Sequence, residues 1–183
     1  MPAKTVFCFS MPTNFEFKAR CADIKKVEAV LQEHQPSFIG EDHQTDTYFN
    51  VPHGRMKLRE GNIENALIHY IRSNSASAKQ SEVLLYQHKP DATLKQILST
   101  ALGVKVVVEK SRKIYFIQNI KFHFDEVKGL GTFLEVEAID KEGNISIDEL
   151  KSQCKMYAQL FKIESHDFIA GSYSDMLLEK NPH

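Results

Sequence analysis

Alternation with period two runs through most of this chain. From Asn14 to Arg20, the residues Asn14, Glu16, Lys18 and Arg20 fall on one face of an extended strand, and Phe15, Phe17 and Ala19 fall on the other. Arg55-Met56-Lys57-Leu58-Arg59 repeats the pattern, with only cations on one face and only apolar residues on the other. The stretch 107–137 divides at its turn signals into three strands. The first carries Lys110 and Arg112, the second Lys121, His123 and Asp125, and the third Glu135 and Glu137. Phe122, Phe124, Leu134 and Val136 lie opposite these charges. Further strands are predicted over 44–50 (QTDTYFN), 66–72 (ALIHYIR) and 82–88.

Helical spacing appears in fewer places. Ile24, Val27 and Leu31 predict a helix over 23–34, with Asp23 as N-cap and Pro36 ending it. Pro90-Asp91 opens a second helix, which runs to about Leu102 and stops at Gly103. A third is predicted over 146–163, capped by Ser146, with Leu150, Met156, Tyr157, Leu160 and Phe161 on one stripe. A short closing helix is predicted near 172–180. Residues 73–81 are small and polar and read as a loop.

These elements predict an α+β fold. About eight strands joined mostly by short turns imply antiparallel neighbours, and that number suits a closed barrel. Residues 14–183 form the single domain and 1–13 an N-terminal extension. Amphipathic helices need an apolar surface to pack on, and the strands offer one only opposite their charges. The expected arrangement is therefore inverted: charged faces line a central tunnel, and apolar faces lie outside beneath the helices.

Composition narrows the function classes. The chain has 183 residues and a formal net charge of −1, so bulk electrostatics gives no reason to expect a nucleic-acid partner. Cys8, Cys21 and Cys154 are scattered without metal-binding spacing, which predicts reduced thiols in a cytoplasmic protein rather than a zinc site. The opening segment is a poor signal peptide, and no apolar run reaches the roughly 20 residues that span a bilayer.

The charged positions carry the candidate chemistry. The cations are Lys18, Arg20, Lys57, Arg59, Arg72, Lys110 and Arg112, with Arg55 at the edge. The anions are Glu16, Asp125, Glu135 and Glu137. A solvated sheet face would explain them, but the signs are segregated by strand. Inside a tunnel, clustered carboxylates would resist full ionisation unless a divalent ion such as Mg²⁺ or Mn²⁺ neutralised them. So many cations would call for a highly charged anion such as a polyphosphate. His123 reads first as a hydrogen-bonded barrel histidine and second as a base. Gly129-x-Gly131 precedes a strand and reads as a hairpin rather than a phosphate loop. Tyr48 and Tyr70 are open between packing and base contact; Phe49 reads as packing.

Four blocks then carry a resemblance: NFEFKAR (14–20), QTDTYFNVPHGRMKLRE (44–60), VEKSRKIYFIQNIKFHFDEV (108–127) and GLGTFLEVE (129–137). With ALIHYIR and the C-terminal SYSDML, the chain resembles the CYTH family, the triphosphate tunnel metalloenzymes named for class IV adenylyl cyclase and thiamine triphosphatase. The longer blocks are most similar to the cyclase-like branch. The resemblance implies an eight-stranded antiparallel tunnel, Mg²⁺ or Mn²⁺, and a triphosphate such as ATP, inorganic triphosphate or thiamine triphosphate.

By position, Glu16 and Lys18 match the family's E-x-E-x-K signature. Lys57, Arg59, Lys110 and Arg112 match phosphate-binding positions, Arg72 stands near a family lysine, and Arg20 joins the same substrate set. Glu16, Asp125, Glu135 and Glu137 match metal-side carboxylates, and Glu16, Lys18 and Asp125 would act at the reacting phosphate. The signature's first acid is Asn14 here. The resemblance leaves three activities open: cyclisation of ATP to cyclic AMP and pyrophosphate, triphosphate hydrolysis, or binding without turnover. Pairing as a homodimer is also left open.

Overall fold

A computed structural model describes residues 13–72 and 81–180. The predicted extension over 1–13 and loop over 73–81 lie almost wholly outside the described residues. The element order is β1 (Thr13–Arg20), α1 (Ile24–Gln32), β2 (Ser37–Phe49), β3 (Arg55–Glu60), β4 (Ala66–Arg72), β5 (Ser81–Gln87), α2 (Ala92–Leu102), β6 (Val104–Ile117), β7 (Ile120–Val127), β8 (Gly131–Asp140), α3 (Ile147–Leu160) and α4 (Tyr173–Lys180). All eight strands join one antiparallel sheet in the order β1-β8-β7-β6-β2-β3-β4-β5. No pairing joins β1 to β5 among the described residues. The sheet curls into a half-barrel, the eight-stranded antiparallel arrangement that the strand number suggested.

Local chemistry sets the helix ends. The side chain of Asp23 accepts from Lys26 N, Asp91 from Thr93 N and Ser146 from Glu149 N, each satisfying an otherwise orphaned amide. α1 stops at Gln32, short of Pro36, and α2 stops at Gly103, whose φ of 71° suits glycine. β2 starts at Ser37, well before the predicted Gln44, and passes a register shift between Phe38 and Gly40.

The predicted inversion is present. Phe122, Leu134, Val136 and Ala138 on the outer faces of β7 and β8 pack with Leu31 of α1 and with Leu150, Cys154 and Tyr157 of α3. Each large side chain so buried contributes roughly 1.5–3 kcal/mol. Met156 leaves the predicted stripe and is exposed; Cys154 and Ala158 take the inner positions of α3. After α3 the chain runs along the free edge of β1. Asp167 O accepts from Arg20 N at 2.9 Å and Ile169 N donates to Lys18 O at 2.8 Å. This covers the edge and delivers α4 to one end of the barrel. No helix among the described residues is long and apolar enough to cross a membrane.

Candidate active site

The ladder register places the charged side chains on one concave surface. Lys18 lies opposite Glu135 and Glu16 opposite Glu137 across β1 and β8. Arg112 lies opposite both Asp125 of β7 and Asp42 of β2, and Arg59 opposite Asp46. Lys57, Arg59, Lys110, Arg112, Asp125 and Glu135 all come together there, and Arg112 is 5% exposed.

The centre is Asp46, which the strand pattern did not single out. Its carboxylate receives Lys57 Nζ at 2.8 Å, Arg59 Nε at 2.8 Å and Nη2 at 3.0 Å, and Lys110 Nζ at 3.0 Å. Burial pushes its pKa up, but the three cations outweigh it and hold the carboxyl well below the usual range. Burial lowers Lys110 to about 7 despite Asp46, and Arg112, Arg59 and Lys57 push in the same direction. Lys57 is lowered too, chiefly by burial.

A second cluster surrounds Arg112. Its Nε and Nη2 donate to Asp125 at 2.7 and 2.6 Å, and Nη2 also donates to Glu135 at 2.9 Å. Nη1 meets no acceptor among the described residues. Tyr173 Oη donates to Asp125 Oδ2 at 2.7 Å. Both oxygens of Asp125 are thus engaged with Arg112 and Tyr173, and the carboxylate supports the guanidinium from behind. Lys18 Nζ is 3.8 Å from Glu135 and lies over the Tyr173 ring at 4.2 Å.

Carboxylates gather toward the open side. Glu64 binds Arg59 at 2.8 Å and Lys121 at 3.0 Å, and these cations outweigh its burial and lower its pKa. Asp42 holds the Glu64 loop by accepting from Ile63 N and Glu64 N. Asn14 Nδ2 donates to Glu137 Oε1 at 2.6 Å. Burial raises the Glu137 pKa, and Glu135 adds to the rise while Asn14 opposes it. His123 is buried and lowered to about 4 by burial and Arg112, so it is neutral at pH 7. Its Nδ1 stands 3.6 Å from Glu135, outside hydrogen-bond reach, and neither ring nitrogen has a hydrogen-bond partner among the described residues. These side chains line a cavity of about 590 Å³ that includes Arg59, Glu64, Arg112, Lys121, His123, Glu135 and Glu137.

The other end is filled. Tyr48, Val108, Val127 and Phe133 continue the inward faces of β2, β6, β7 and β8, and they pack with Tyr173 of α4 into an apolar floor. Tyr48 is raised to about 12, chiefly by burial, which keeps it a neutral hydroxyl. Arg55 Nη1 clamps α4 through Ser172 Oγ and Asp175 Oδ2, both at 2.9 Å.

One predicted phosphate ligand, Arg20, stays outside these clusters. Arg20 is exposed at the floor end, reaching the Leu130 carbonyl at 3.4 Å and lying over the Phe133 ring. Arg72 ends β4 opposite Ser81, and its side chain lies outside the described residues. Asp46, Glu64, Lys121 and Tyr173 complete the site and were not assigned to it from sequence. Lys121 shares the alternation of His123 and Asp125 and was legible on that ground. Among the described residues no three His, Cys, Asp or Glu side chains converge as a ready metal nest.

Fold and site together define a curled antiparallel sheet with a paired, ionic interior closed at one end. The chain belongs to the CYTH domain family, whose model matches residues 13–169. A comparison with curated protein sequences gives no match. Among solved structures it is similar to the PH1012 protein of Pyrococcus horikoshii OT3 (TM-score 0.76, 20% identity, covering 88% of this chain and 98% of that one). It is also similar to a Vibrio parahaemolyticus protein provisionally assigned as an adenylate cyclase (0.69, 18%, 90% and 97%). A third is HpAC1 of Hippeastrum, a provisionally assigned adenylyl cyclase described as having a dominant triphosphatase activity (0.62, 12%, 93% and 95%). At these identities the likeness concerns the fold.

Proposed function

We propose that this protein is a metal-dependent enzyme that acts on a nucleoside triphosphate held in the tunnel, cyclising ATP to cyclic AMP with release of pyrophosphate. The observation that carries this reading is the cation cluster at the cavity. Arg59 and Arg112 line it together with Glu64, Glu135 and Glu137, and the buried Lys57 and Lys110, with side-chain exposures of 12% and 1%, share Asp46 with Arg59. A phosphate chain entering such a tunnel puts its terminal groups among the cations and its α-phosphorus toward the mouth. Attack by the ribose 3′-hydroxyl on the α-phosphorus breaks the α–β bridge, and the departing pyrophosphate's charge meets Lys57, Arg59, Lys110 and Arg112.

Glu16, Glu135 and Glu137 do not converge in this arrangement, but they line up on neighbouring strands and would hold a divalent cation once drawn together. These are hard oxygen ligands, and a carboxyl raised by burial and a like-charged neighbour is relieved by such an ion. When bound, Mg²⁺ or Mn²⁺ supplies charge neutralisation at the reacting phosphate. Asp125, engaged behind Arg112, serves the clamp in this reading. Buried, unpaired Cys21 and Cys154 support a cytoplasmic setting.

Hydrolysis of the triphosphate is the second reading, favoured by the fold shared with HpAC1. Product analysis separates the two. Incubation with ATP and Mg²⁺ or Mn²⁺ yields cyclic AMP and pyrophosphate on the first reading and ADP with orthophosphate on the second. Tight binding with no product would leave a sensor and defeat both.

A further inference from the structure

The matched family region ends at residue 169, yet the ionic site does not. Tyr173, four residues beyond it, is 6% exposed, and its hydroxyl donates to the same Asp125 oxygen that receives Arg112 Nη2. Its ring packs on Phe133 at 4.9 Å and lies under the Lys18 ammonium at 4.2 Å. Arg55 fixes the segment through Ser172 and Asp175. The Asp125 carboxylate therefore holds Arg112 from behind by accepting two of its hydrogen bonds, is itself steadied by the bond from Tyr173, and Glu135 accepts at the side. That leaves Nη1 as the one guanidinium nitrogen with no acceptor among the described residues, in a side chain that lines the cavity.

We propose that Tyr173 is a positioning residue for anion binding: through Asp125 it fixes the Arg112 guanidinium so that Nη1 faces the bound phosphate chain, and its ring seats Lys18 beside it. The inference rests on the reading of the tunnel as a triphosphate site. A guanidinium aligned before the ligand arrives loses less freedom on binding, and a charged hydrogen bond with fixed direction is worth more than one that must be assembled. The C-terminal segment is then part of the binding site as well as its floor.

The test uses the full chain and inorganic triphosphate as probe, with binding followed by calorimetry in the presence of Mg²⁺. Tyr173→Phe keeps the ring and removes the hydroxyl. It is expected to weaken binding about tenfold while leaving cooperative unfolding intact. In an Arg112→Gln background the same change is expected to have almost no further effect on binding, because its target is gone. Arg55→Met, which loosens α4 without touching Asp125, is expected to weaken binding in the same direction. Full, additive losses in the Arg112→Gln background would overturn the proposal, since a purely structural tyrosine acts independently of Arg112. Unchanged affinity in Tyr173→Phe would overturn it as well. Failure of the unaltered protein to bind inorganic triphosphate would overturn the tunnel reading itself and this proposal with it.

Discussion

Asp46→Asn is the sharpest perturbation of the site. Asp46 is 2% exposed and is the shared anion of Lys57, Arg59 and Lys110 at 2.8–3.0 Å. Asparagine keeps the shape and one acceptor oxygen but removes the charge, leaving buried cations that repel one another. Breaking one buried pair by removing a partner costs about 3–5 kcal/mol. In a domain of this size that corresponds to a fall in Tm of about 6–20 °C. Part of the loss is recoverable. Lys110 already titrates at about 7 with Asp46 beside it, and without that carboxylate it falls further and sheds its proton at neutral pH. Denaturant unfolding at pH 7 measures the change, with an unaltered m-value showing that the native fold persists. Inorganic triphosphate at saturating concentration then restores negative charge among the same cations, so it should raise the Tm of Asp46→Asn by more than it raises that of the unaltered protein. A loss below about 1 kcal/mol, within the range of an exposed ion pair, would refute the claim that this carboxylate holds the cations together.

Other consequences follow from the same groups. Lys110 has a folded pKa near 7 and an unfolded one near 10.4, so between these values the unfolded chain holds the extra proton and stability rises with pH; Lys110→Met should flatten that rise between pH 7 and 10 in urea titrations. Glu137→Gln removes a carboxyl that burial already biases toward the neutral form, so it should leave Tm within about 2 °C while abolishing metal-dependent turnover. Asn14→Glu replaces the amide that donates to Glu137 with a second carboxylate; it should lower stability without metal and tighten Mn²⁺ binding, as read by calorimetry.

Much of the architecture was legible because strand alternation is a local signal. Asn14 to Arg20 and Arg55 to Arg59 announced which face was ionic, and the helices' need for an apolar seat announced that this face turned inward. The sheet order was not legible. β2 pairs with β6 across separations from 79 positions (Ser37 with Phe116) down to 55 (Phe49 with Val104), and nothing in either strand names its partner. Asp46 was hidden for a related reason: it is the lone acid of the Thr- and Tyr-rich stretch predicted over 44–50, and its three cations arrive from β3 and β6. Glu64 sits in a turn, where no periodicity marks it, and Asp42 fixes it through backbone amides. Tyr173 reaches Asp125 across 48 positions through a helix docked by Arg55, a contact that only the packed chain can make. Arg20 shows the opposite failure. It keeps the strand alternation, yet it falls past the point where Phe133 and Tyr173 fill the barrel, so sharing a face did not mean sharing the cavity.

The central claim is that the inward cations hold a phosphate chain. Calorimetric titration of inorganic triphosphate with Mg²⁺ tests it most directly, comparing the unaltered protein with Lys57→Ala and with Lys151→Ala on the exposed face of α3. The account predicts one saturable site that weakens about tenfold in Lys57→Ala and is unchanged in Lys151→Ala. Equal affinities in all three proteins, or no saturable binding at all, would contradict it.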